Sequence, residues 1–217
     1  ELGRVLATAG AQVISGLALG IDVAAHQGAV LAGGTTFAVL AGGVDLCYPK
    51  QNFNTYVDIM RNGGVISEFP DNTLTRPGMF PLRNRIISGL CDAVIIVEAG
   101  MKSGSLITAA QALEQNRQVY AVPGRIGDGN SEGCNHLIWQ GAQIVCSYDD
   151  LLAELDLDIS DSTKTNEKNI LLASDEKMLY SQLLDFSPKS LETLIKETGM
   201  SQMQVFQALL TLELKGL

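Results

Sequence analysis

The run Lys102-Ser103-Gly104-Ser105 stands where a strand-like stretch, AVIIVE (Ala93 to Glu98), gives way to a helical one. Backbone N–H groups are unpaired at such a junction, so two hydroxyls, a lysine and those donors could converge on one phosphate. The spacing is not GxxxxGK[ST] and carries no expectation of ATP hydrolysis. A second segment, LAGGVDLCYPKQNFNTY, puts Lys50 near a helix start and Phe53 about one turn later. Charge for a phosphate and a ring for stacking a base are what a single-stranded nucleic acid needs. Taken alone, the same residues read more simply as an exposed lysine and a core phenylalanine. A third segment, RPGMFPLRNRIISGL, gathers Arg76, Arg83 and Arg85, whose guanidinium forks fit phosphate oxygens. Glu68 and Glu98 compete for Arg83 and Arg85, so at least one of these arginines is expected to be structural. In SGLALGIDVAAH a glycine-rich turn leads to Asp22, read as a helix cap, and to His26, read as a helix-surface residue one turn on. That turn lacks the GxGxxG spacing.

Covalent chemistry finds little support. No nucleophile is paired with a histidine and an orienting acid, and two histidines with four scattered cysteines lack metal-ligand spacing. No cofactor is expected, and Cys47, Cys91, Cys134 and Cys146 read as reduced thiols. The formal charge of −9 opposes diffuse attraction to nucleic acid, so any such site must be a local basic cluster. No apolar run reaches the roughly 18 residues of a membrane span, and no signal-peptide pattern opens the chain, which together point to the cytoplasm.

The elements that must position these residues follow a βαβ rhythm. Short apolar strands are expected at Gln12 to Ser15, Thr36 to Leu40, Val65 to Ser67, Ala93 to Glu98, Val119 to Val122 and Ile144 to Cys146. Helices are expected between them, at Asp22 to Ala32, Asn52 to Asn62, Arg83 to Leu90, Ser105 to Gln115 and Cys134 to Gln140. The fold class is therefore α/β: an extended Rossmann-like, doubly wound, mainly parallel sheet with ligands beyond the carboxyl ends of its strands. This domain spans 1–155. The polar, acidic stretch 156–170 reads as a linker. Residues 171–217 read as a small all-α, winged-helix-like domain, with helices at Asp175 to Leu184, Lys189 to Thr198 and Gln202 to Lys215. Its third helix has one lysine and no arginine, which favours packing or protein contact over a major groove. The opening ELGRVLATAG reads as a helix whose preceding strand is missing, and hence the chain as a fragment.

Five segments in one order, SGLALGIDVAAHQGAVLAGGTTFAVLAGGVDLCYP, FPLRNRIISGL, EAGMKSGSLITAAQALE, VYAVPG and GCNHLI, resemble the DNA-processing protein A family, also called DprA or Smf. The resemblance spans roughly Leu2 to Leu155. It implies an extended Rossmann protein without catalytic activity that binds and shields single-stranded DNA in natural transformation, loads the RecA recombinase and acts as a homodimer. By position, Lys50 matches the family's DNA-contacting lysine and Phe53 a base-contacting aromatic. Arg83, Arg85, Lys102, Ser103, Gly104 and Ser105 fall in motifs that border the same pocket. Leu113, Asn135 and Ile138 match the family's dimer surface, where RecA is also expected, although Leu113 and Ile138 would otherwise read as core residues of amphipathic helices. The family's first strand ends in a Gly-Ser-Arg turn that would precede Glu1.

An enzyme is the rival reading. The SGSLITAAQALE segment faintly resembles nucleoside-monophosphate phosphoribohydrolases, but their PGGxGTxxE loop is replaced here by EAGMKSGSLITAAQ, without the glycine pair or the acid. A general dinucleotide-binding module would want GxGxxG and an acid about 20 residues on, and the turn is absent.

Overall fold

A computed structural model describes residues 1–157, 174–183 and 189–214. The chain divides into two compact units, Glu1–Thr165 and Asn166–Leu217. Beyond its first two residues, the stretch 156–170 expected as a linker lies outside the described residues.

The first unit is α/β with parallel strands throughout, in two three-stranded sheets. One runs β1 (Val13–Ser15), β2 (Thr36–Leu40), β3 (Gly63–Ser67), and the other β4 (Ala93–Ile96), β5 (Gln118–Ala121), β6 (Gln143–Ile144). A single continuous sheet was the expectation; here β1 and β4 each pair on one side only. Parallel neighbours need a crossover, and helices supply it. They are α2 (Ile21–Leu31) and α3 (Phe53–Asn62) in the first half, and α5 (Gly104–Glu114) and α6 (Glu132–Trp139) in the second, with α4 (Met79–Leu90) joining the halves. The opening helix α1 (Leu2–Thr8) crosses α2 closely: a Cβ on Gly3 would stand 2.4 Å from the Ala25 carbonyl oxygen.

Several bounds differ from the sequence reading. Helix α4 starts one turn before Arg83, at Met79; β4 ends at Ile96 rather than Glu98; and β6 is shorter and begins at Gln143. Helix α7 (Tyr148–Glu154) was not expected. Ser147 caps it, accepting from Asp150 N at 3.1 Å, while Leu151 and Leu152 turn into the core. Alternating apolar positions fill two principal cores. Val94, Ile96, Ala109, Ala112, Val119, Ala121, Cys134 and Leu137 pack in the second half, and Leu17, Ala38, Leu40, Tyr56 and Ile59 in the first.

The second unit holds α8 (Ser174–Leu183), α9 (Leu191–Thr198) and α10 (Gln202–Leu214) around Leu179, Leu194, Met200, Val205, Ala208 and Leu212. Gly199 ends α9 in the left-handed region at φ 67°, where a side chain would be strained, and so sets the tight turn into α10. No helix among the described residues is long and apolar enough to cross a membrane.

Candidate nucleic-acid interface

The loop that leaves β1 is pinned from both sides by side chains. Asp22 does not cap its own helix, where Gly20 is the N-cap; it reaches back, and its Oδ2 accepts from Gly16 N at 3.0 Å and Ala18 N at 3.2 Å. The loop after β1 is held from the other side by Asn52, whose Nδ2 donates to Leu17 O at 2.9 Å and Ala18 O at 3.3 Å. Asn52 is buried in the 3-10 turn Lys50–Asn52, so it fixes the Lys50 turn against the Gly16–Ala18 loop. Sequence reasoning missed it because nothing in the local pattern distinguishes a buried amide from a surface one. His26 is likewise misread by local pattern: it is fully buried and not on the helix surface. Thr36 Oγ1 donates to Val13 O at 2.7 Å, so it accepts from His26 Nδ1, also at 2.7 Å, and α2, β2 and β1 are tied in one chain. Burial pulls the His26 pKa down to about 4; the Asp22 carboxylate opposes that shift, and the Arg83 charge adds to it.

Arg83 is the largest departure from expectation. It is 5 % exposed, and its Nη1 donates to Gly16 O at 2.7 Å and to Val39 O, while Nε donates to Asn84 Oδ1 at 3.1 Å. Burial lowers its pKa, against a raising influence from Asp22. A buried guanidinium that gives Nη1 to two carbonyls at the strand ends and Nε to the neighbouring amide is a staple for the fold. Gly16 must be glycine for this, because a Cβ there would stand 2.3 Å from Arg83 Nη1. Arg85 is exposed and paired with Glu68, one of the two carboxylates the sequence offered it.

What remains open at this end is Lys50 and a set of rings. Lys50 is exposed and has no ion pair among the described residues. Phe53 is 55 % exposed, so it is not the core residue that its segment alone suggested. It stacks on Tyr56 with centroids 6.1 Å apart and planes at 22°. Tyr56 is itself anchored, its hydroxyl donating to Val44 O at 2.5 Å. Tyr48, two residues before Lys50, is 52 % exposed and leans on Phe80 at 6.0 Å. Arg83 lies 6.0 Å from the Phe80 centroid on the buried side, close enough for a cation–π contact.

The Lys102–Ser105 turn opens α5 as expected. Ser103 is its N-cap, and Ser103 Oγ accepts from Ser105 N at 3.3 Å and donates to Ser105 Oγ at 3.2 Å. The two hydroxyls therefore bond to each other, while Lys102 and Gly104 are exposed. Helix α4 connects this turn to the first sheet through adjacent residues: Arg83 holds β1 and β2, and Asn84 Nδ2 reaches Gly104 O at 3.5 Å. Gln111 of α5 and Gln115, which caps its end, donate back to Pro81 O at 3.1 Å and Arg85 O at 2.9 Å.

The three remaining residues lie on the second half. Leu113 is 59 % exposed on α5, so it is not core. Ile138 is part-buried and packs against the core of its half. Asn135 Nδ2 and Oδ1 close a reciprocal pair with Gly124 O and N, both at 3.1 Å, which fixes the turn after β5. In the second unit α10 exposes Met203, Phe206 and Leu210 and has no arginine or lysine between Gln202 and Leu214.

A sequence model of the DNA recombination-mediator protein A family matches residues 1–156. The chain belongs to that family. A model of the DprA winged helix domain matches residues 164–217. Among similar proteins, DNA processing protein DprA of Streptococcus pneumoniae is 49 % identical over 66 % of this chain and 51 % of its own length. Protein Smf of Escherichia coli is 45 % identical over 69 % and 40 %. The chain thus spans about half the length of these curated relatives or less. The crystal structure of the S. pneumoniae protein superposes with a TM-score of 0.65 at 45 % identity, covering 70 % of this chain and 54 % of that one. DNA processing protein A of Helicobacter pylori, whose structure was described for its single-stranded DNA binding mode, gives 0.67 at 32 % identity and 72 % of each chain.

Proposed function

We propose that this chain binds single-stranded DNA at the carboxyl edge of its first sheet, Lys50 meeting a phosphate and Phe53 stacking a base. The observation that carries the reading is the pairing of an exposed lysine, without an ion pair among the described residues, with an exposed, braced ring three residues on at the start of α3. Family membership and the H. pylori relative's single-stranded DNA binding support it. Lys102 and the Gly104 end of α5 supply a second anion contact, and Arg83, Arg85, Ser103 and Ser105 hold the edge in shape. In this reading the protein works in the cytoplasm without covalent chemistry, shielding incoming DNA and loading RecA in natural transformation. It does so as a homodimer through the face of Leu113, Asn135 and Ile138. Residues 1–155 form the DNA-binding domain, 156–170 the linker and 171–217 a helical module for protein contact.

The test is fluorescence-anisotropy binding to matched single- and double-stranded oligonucleotides across a salt series. Preference for single strands, with affinity falling as salt rises, is expected. Lys50→Glu should weaken binding by about 2 kcal/mol, since a phosphate partner becomes a repelling charge. An unchanged binding curve removes Lys50 from the interface. Absence of any binding by the native protein, with release of base from a nucleoside monophosphate, would replace this reading with the phosphoribohydrolase one.

A further inference from the structure

We propose that Tyr48 is a second stacking platform, so that two bases are held on either side of Lys50, one by Phe53 and one by Tyr48. This rests on the single-stranded DNA reading and assigns a residue to it that the sequence motifs did not. Both rings stand about half exposed, at 52 % for Tyr48 and 55 % for Phe53, whereas Val44, Leu46, Cys47 and Val57 around them are part-buried and Tyr56 and Ile59 are buried. Each is braced from behind by another ring: Phe53 by Tyr56, which is hydrogen-bonded to Val44 O, and Tyr48 by Phe80, against which Arg83 lies. Arg83 is in turn fixed by the carbonyls of Gly16 and Val39, so the brace behind Tyr48 is part of the sheet end itself.

Ring placement relative to charge matches what a strand presents. Tyr48 lies two residues before Lys50 and Phe53 three after it. Five residues span at most about 18 Å when extended, and the intervening 3-10 turn shortens that, so the rings fall within the reach of a few nucleotides. A lysine between two braced rings gives one phosphate contact flanked by two bases, and every base has a face to stack. Such a site reads base presence more than base identity.

The experiment measures binding of oligo(dT) and of an abasic oligomer of equal length by native protein, Tyr48→Leu and Tyr48→Phe. For oligo(dT), Tyr48→Leu should weaken binding by at least about fivefold, the lower end of one stacked base, while Tyr48→Phe stays near native. On the abasic oligomer the leucine variant should match the native protein. Native affinity of Tyr48→Leu for oligo(dT) overturns the proposal and leaves the DNA reading standing. An equal loss on both oligomers also overturns it, since Tyr48 would then serve the loop and not a base. No binding by native protein sinks the DNA reading first. Should Tyr48→Leu fail to fold, Tyr48→Trp in a Trp139→Phe background provides the readout: its indole emission should be quenched on adding oligo(dT) and unchanged on adding the abasic oligomer. Emission indifferent to oligo(dT) at saturation overturns the assignment.

Discussion

Lowering the pH from 7 to 5 should destabilise the first unit through His26, and replacing that residue by leucine should remove the effect. In the folded chain the imidazole is fully buried, donates from Nδ1 to Thr36, and has no partner for Nε2 among the described residues. Burial, the dominant influence, holds its pKa near 4, against an ordinary value of 6.5. Above pH 6.5 neither the folded nor the unfolded chain binds the proton, and stability is independent of pH on this account. Between 6.5 and 4 the unfolded chain takes up a proton that the folded chain refuses, so stability falls as pH falls. Below 4 both are protonated and the loss is complete. At pH 5 the loss is about 2 kcal/mol, from roughly 1.5 pH units at 1.36 kcal/mol each. Carboxylates held at lowered pKa, such as Glu1 beside Arg4, contribute mainly below about pH 4.5, which leaves 7 to 5 a clean window. Urea unfolding of native and His26→Leu protein at both pH values, with equal slopes in denaturant, measures the difference. Equal pH dependence in the two proteins, or a His26 ring resonance titrating above pH 6 in the folded state, would refute the reasoning.

Two other perturbations follow from the same geometry. Arg83→Met strands the carbonyls of Gly16 and Val39 and should lower unfolding stability by about 2 kcal/mol or more, read as a drop in Tm; an unchanged Tm would show that water replaces the guanidinium without loss. On the proposed homodimer, Leu113→Glu should give a monomer in sedimentation while leaving the circular-dichroism spectrum intact, because Leu113 is exposed whereas Ile138 packs into its half's core. Sedimentation of Leu113→Glu indistinguishable from that of the native protein would exclude α5 from the proposed interface.

Much of this protein is written locally. Alternation of short β-branched runs with amphipathic stretches, punctuated by glycine, marks β1 to β5 to within a few residues because burial on both faces of a parallel strand leaves a continuous apolar run. Ser103 as a cap and Gly199 as a helix stop are equally local, since capping and left-handed turns depend on neighbouring backbone alone. The exposure of Lys50 is local as well, but its segment alone does not single it out, and only the family resemblance proposes it as a DNA contact. What the chain could not disclose by itself is which polar side chains turn inward. Arg83 and Arg85 lie two residues apart on one helix, yet one is stapled beneath the sheet end and the other pairs with Glu68 in solvent. Asp22 holds a loop four to six residues back and does not cap its helix, His26 is buried against Thr36, and Asn52 locks the Lys50 turn. Periodicity reports the apolar face of an element, whereas a buried hydrogen bond requires a partner 10 to 67 residues away to arrive at the right distance. Only the packed sheet ends bring those partners together, and they alone decide that Lys50, Phe53 and Tyr48 face outward while Arg83 does not.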